Sequence, residues 1–168
     1  ASEARDKILE QAAEHVAQLR FERAAQCYGR AVAMGTDDQI CSEYLRLARL
    51  ARKLELICDA AAQLVQRAAE RDSRLPGALI AGALNELGSS SAPWPTLSLS
   101  AWARLVRRLI DESELEAAES LLLRLVSRDT KGHCVPSLLF VLARAWRAAG
   151  QIARAERAEA LQARRFPD

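Results

Sequence analysis

The sequence predicts an all-α fold, and three observations carry that expectation. Half of the residues are apolar but only 5% are aromatic, and Ala and Leu dominate, which favours close helix packing over a β-sandwich. Period-two runs of β-branched residues, the mark of a half-buried strand, are nearly absent. Apolar residues recur instead at three- and four-residue spacing in one segment after another, most of them closed by turn chemistry. The 168 residues suffice for one ordinary domain with a substantial core. The expectation is a single domain over 1–168 with about nine helices, in repeats at about 5–38, 41–74, 99–132 and 136–168 and a partial one at 75–98.

In the first repeat, Ile8, Ala12, His15 and Leu19 share one helix face, and the break near Leu19-Arg20 leads into a second helix. There Ala24, Tyr28 and Ala31 fall at i, i+4 and i+7, a small–large–small face that lets a neighbouring helix approach at two points around an aromatic ring. Gly35-Thr36-Asp37-Asp38 ends that helix and supplies a new N-cap. The second repeat carries Tyr44, Leu47, Ala48 and Ala51, then Ile57, Ala60, Ala61, Leu64 and Ala68. No Gly or Pro divides it, so a turn near Lys53-Leu54-Glu55 rests on repeat phase alone, and one long helix is the competing reading.

Pro76 suits a first helical turn and Gly88 a C-terminal cap, so a helix is expected over Pro76–Leu87. The Pro- and Ser-rich loop 88–98 follows, with prolines on both sides of Trp94 that exclude a helix. An extended loop of about ten residues reaches roughly 33 Å, enough to make the return that an absent second helix would have made. Trp94 is expected to fold back over the core where that helix is missing, although an exposed anchor for a partner is the alternative. In the third repeat, with Ser98 or Ser100 as N-cap, Trp102, Leu105, Val106 and Leu109 precede Leu115, Ala118, Leu122 and Leu125. In the fourth, Leu139, Leu142, Ala143 and Trp146 lead to Gly150, Ile152, Ala155 and Pro167, with Glu159 where the first repeat has Tyr28.

These helix pairs resemble the tetratricopeptide repeat, a helix–turn–helix unit of roughly 34 residues. Trp102 falls at that family's tryptophan position, Ala118 at its alanine, Gly150 at its turn glycine and Pro167 at its terminal proline. The resemblance covers nearly the whole chain as four degenerate repeats and one interrupted half. It implies a right-handed superhelix of antiparallel helix pairs, an α-solenoid.

Little in the sequence points to catalysis. The only histidines are His15, on a packing face and expected to be a satisfied core residue, and His133, beside Cys134 in a turn. Two such ligands make a poor zinc site, and the serine run 89–91 lacks the glycine and lysine of a phosphate loop. Acidic pairs such as Asp111-Glu112 open a helix, where they favour its dipole. The expectation is therefore no enzyme, no cofactor and no metal. Cys27, Cys41, Cys58 and Cys134 are widely spaced in apolar runs, which fits a reduced, cytoplasmic protein better than a disulfide framework. No membrane span or signal peptide is visible, and the chain, opening on Ala1, reads as a piece of something longer.

The positive charge is unusual in kind. Lys7, Lys53 and Lys131 are the only lysines among 24 basic residues, so arginine, suited to bidentate grip on carboxylates and phosphates, is the working cation. A GC-rich genome would produce the same bias. The resemblance implies that the first helix of each repeat lines a concave groove. Its ninth positions would be Ala13, Arg49, Arg107 and Arg144, and its twelfth Val16, Arg52, Ile110 and Arg147. Lys53 would stand at a thirteenth, Arg46 and Arg104 at sixths, and Leu9, Leu45 and Phe140 at fifths. The groove would hold a protein or peptide with acidic residues. A solvated arginine face balanced by acids such as Asp111 or Glu43 is the bland alternative. The family's clamp for chaperone C-termini is not expected, because Leu9 and Ala13 replace its Lys and Asn. The leading expectation is a non-enzymatic interaction scaffold. RNA binding is the runner-up, opposed by a net charge of only +2 and by the absence of basic–aromatic interleaving. A regulatory or targeting segment of a larger protein and self-association through the terminal faces stay open.

Overall fold

A computed structural model describes residues 2–167, and among them it contains nine α-helices and no strand. The chain divides into two units, at Thr96 and Leu97 within the Pro-rich loop. The first contains α1 (Ser2–Ala17), α2 (Phe21–Met34), α3 (Asp38–Ala51), α4 (Leu54–Ala68) and α5 (Gly77–Gly88). The second contains α6 (Leu99–Asp111), α7 (Leu115–Leu125), α8 (Val135–Ala148) and α9 (Ile152–Arg165).

Within each unit every helix packs on the next in sequence, so both are built of consecutive helix pairs. The second helices α2 and α4 also meet in the first unit, and the first helices α6 and α8 in the second. The stripes expected from sequence form the cores. Ala24 and Ala31 are fully buried, while Tyr28 between them is half-buried. In the second unit Trp102, Leu105, Val106, Leu109, Ala118, Leu122 and Leu125 are all buried. Full burial of a leucine contributes roughly 2 kcal/mol, which explains why so plain a pattern suffices.

The turn inside each helix pair repeats one device. Leu19, Arg52, Ser113 and Gly150 each follow the last turn of a first helix with φ of 58°, 56°, 64° and 80°. After three of them the next N–H reaches back over the turn: Arg20 to His15 O, Glu114 to Leu109 O and Gln151 to Trp146 O, each at 2.8 Å. These are Schellman caps, which satisfy carbonyls that the helix end leaves unpaired. Each second helix starts two residues beyond the left-handed residue. The competing single helix across the second repeat is therefore ruled out: Arg52 divides α3 from α4.

Two carboxylates, half-buried Asp38 and buried Asp129, fasten other turns. Asp38 accepts from Arg67 Nε and Ser73 Oγ at 2.9 Å and from Arg74 N at 2.6 Å, tying the start of α3 to the segment after α4. Asp129, only 2% exposed, accepts from the backbone N–H groups of His133, Cys134 and Val135. Burial pushes both carboxyls up, but these hydrogen bonds outweigh it and hold both below the ordinary aspartate value. Ser98 caps α6 through Ala101 N at 3.1 Å. Ser89 and Ser90 bond back to Asn85 O and Leu87 O, so the serine run closes α5, and Trp94 is half-buried.

Candidate binding face

The four left-handed residues give a ruler for comparing the helix pairs. In the first, third and fourth helix pairs they fall at the fifteenth residue of the numbering expected from sequence, and in the second they fall three residues earlier. On this ruler Leu19, Ser113 and Gly150 are fifteenth positions, and the second fifteenth is Arg52 rather than Glu55. The ninth positions are therefore Ala13, Arg46, Arg107 and Arg144, and the twelfth Val16, Arg49, Ile110 and Arg147. Apolar periodicity did not detect the slip, because three residues fall only about 60° short of a full helical turn and most of the apolar stripe still overlaps itself.

Two expected site residues move for this reason. Leu45 is not a groove residue: it stands at an eighth position with Ala12, Val106 and Ala143, and all four are buried, Leu45 at 0% exposure. The fifth position of the second repeat is Ser42. Arg52 is not on the helix face either, since it is the left-handed cap residue of α3. Lys53 is the N-cap of α4, and its ammonium lies 4.0 Å from Glu22.

The remaining cations are exposed on first helices. In the first unit, Arg46 pairs with Glu43 three residues before it. Arg49 crosses to α5, where its Nε lies 2.6 Å from Glu86, and a Cβ on Gly82 would stand only 3.2 Å from its guanidinium. In the second unit, Arg107 Nε meets Asp111 at 3.3 Å, one turn along the same helix. The Arg144 guanidinium stands 6.0 Å from the centre of the Phe140 ring, again one turn away, and Phe140 is 54% exposed. Arg104 is exposed and has its own interaction partner. Arg147 pairs with Glu159 of α9, which explains the polar residue at that position.

These pairings separate the cations energetically. Arg46, Arg107 and Arg144, at one register position, take their ion-pair or ring partner from their own helices, and Arg46 also feels Tyr28 of α2. Such exposed pairs are worth at most about 1 kcal/mol, so an incoming carboxylate displaces little. Arg49 and Arg147 instead bridge two helices, so their first contribution is to packing. Arg107 and Arg144 lie on α6 and α8, which pack together, and with Phe140 they make the candidate face of the second unit.

Other candidate chemistry is sparse. His15 is half-buried and its buried Nδ1 has no hydrogen-bond partner among the described residues, which departs from the satisfied core histidine expected. His133 is exposed, and its N–H serves the Asp129 turn. Among the described residues no three His, Cys, Asp or Glu side chains gather as metal donors, and no helix is long and apolar enough to cross a membrane. No protein-family model, curated protein sequence or solved structure matches the chain.

Proposed function

We propose that this chain is a degenerate tetratricopeptide-like repeat protein and acts as a non-enzymatic scaffold, holding an acidic peptide or partner helix on its arginine face. The observation that carries the reading is the pair Arg107 and Arg144. They stand at one register position on two packed helices, beside an exposed Phe140, and hold only weak partners within their own helices. Two guanidiniums on packed helices, one of them over an exposed ring, offer bidentate hydrogen bonds and apolar contact. Arg46 is their counterpart in the first unit. The four cysteines are free, and burial pushes the Cys41 thiol up, away from its reactive thiolate form. That fits a reducing compartment such as the cytoplasm.

Capture from native lysate at low salt, with and without nuclease, tests the reading. The expected result is a defined protein that survives nuclease and is lost with the R107E/R144E variant. Loss of all bound material on nuclease treatment would transfer the face to RNA phosphates. A protein partner held equally by the variant would remove the face from the function.

A further inference from the structure

A second surface of the second unit has a different character. Between α7 and α9, over α8, lies an open cavity of about 350 Å³. Its floor is Leu139 and Leu142, its α7 wall carries Leu123, which is 55% exposed, and its α9 wall carries Leu161. Arg157 and Arg164, both exposed, line the same α9 wall on either side of Leu161. Neither has a carboxylate partner among the described residues. Glu119, the acidic residue of the lining, already accepts from Trp146 Nε1 at 3.0 Å. The Arg107, Arg144 and Phe140 face is formed by other residues, so this surface does not depend on the function proposed above.

We infer that this groove docks an amphipathic α-helix of a partner protein that carries two carboxylates seven residues apart, with apolar residues at the third and fourth positions between them. The spacing follows from α9 itself. Arg157 and Arg164 are seven residues apart, about 10.5 Å along a helix, and a second helix lying beside α9 repeats that distance between its own i and i+7 side chains. Leu161, one turn from Arg157, then meets the apolar residues between the two acids, and Leu123 closes on them from the opposite wall. Charge complementarity selects acids, because Arg157 and Arg164 have no carboxylate partner among the described residues and the groove's Glu119 is already held by Trp146. Backbone chemistry selects a helix. An extended peptide would bury unpaired N–H and C=O groups against leucines, whereas a helix satisfies its own.

A synthetic helical peptide about five turns long, with Glu at the two positions and Leu between them, is the probe. Its binding to the full chain is read by fluorescence anisotropy, with circular dichroism checking each variant. Saturable binding is expected, weakened at least about tenfold by R157E/R164E and changed less than about twofold by R107E/R144E. A Lys-for-Glu peptide should recover binding to R157E/R164E, an outcome that general damage to α9 cannot produce. The inference is overturned if the wild-type chain does not bind, if R157E/R164E binds equally well, if the charge swap gives no recovery, or if R107E/R144E abolishes binding.

Discussion

Leu19, Arg52 and Ser113 hold a left-handed backbone that costs a residue with a Cβ about 1 kcal/mol or more, and glycine almost nothing. Leu19 is also 74% exposed, so its side chain contributes little packing in return. Leu19→Gly should therefore stabilise the protein by about 1 kcal/mol in urea denaturation, and Gly150→Ala, at φ 80°, should cost a similar amount. Opposite or null shifts would show that the turns are not the shared element described above. Asp129 makes the larger single contribution. Removing its carboxylate in Asp129→Ala strands three backbone donors, of which Val135 N is bonded at 2.7 Å, and should cost about 3 kcal/mol. Because hydrogen bonding lowers its native pKa, this stabilisation is fully present above the ordinary aspartate value of 3.8 and is lost as pH falls through the lower native one. Acid titration of stability should thus be shallower in Asp129→Asn than in the wild type. The break near Leu19-Arg20 was legible in sequence but its left-handed geometry was not, because Leu19 reads as apolar. A lone aspartate in a turn carries no periodicity.

At the scale of the helix, the clearest packing relation is between α2 and α3. Gly29 sits in mid-helix, where alanine would ordinarily add stability by about 1 kcal/mol. Its missing Cβ makes room for Tyr44: an added carbon would lie 3.0 Å from the Tyr44 oxygen. Tyr44 is 2% exposed and cannot swing away, because its hydroxyl donates to Asp59 Oδ2 of α4 at 2.5 Å. Burial, then the Asp59 carboxylate, pushes its phenol above the ordinary value, so it stays neutral and keeps donating. Gly29→Ala should consequently destabilise by about 1 kcal/mol, and Tyr44→Phe should recover much of the loss in a double-mutant cycle. Additive effects would contradict the contact. The stripe containing Tyr44 was readable from sequence, since an apolar period survives any shift by a whole turn. The register was not. Nothing between Ala51 and Leu54 marks a turn chemically, because the left-handed position there is an arginine. The same slip placed Leu45 in a groove when it belongs to the core, and Arg52 on a helix when it ends one.

Across the whole molecule, sequence periodicity conveyed an all-helical chain of consecutive pairs, but it could not convey which cations are committed. That depends on acids distant in sequence: Glu86 lies 37 residues from Arg49, and Glu159 reaches back 12 residues to Arg147. What remains at equal register is Arg46, Arg107 and Arg144, each beside a partner on its own helix. Ionic recognition at exposed guanidiniums is screened by salt, so affinity for an acidic partner should fall steadily with ionic strength, without the steeper dependence of phosphate tracking. The most direct test is a titration of the captured protein partner, or of its acidic segment, against wild type and R107E/R144E at equal salt. Circular dichroism would first establish that both are folded. A loss of at least about tenfold is predicted, the equivalent of about 1.4 kcal/mol from two displaced charge-assisted contacts. Equal affinity in the folded variant would contradict the arginine face as the binding surface.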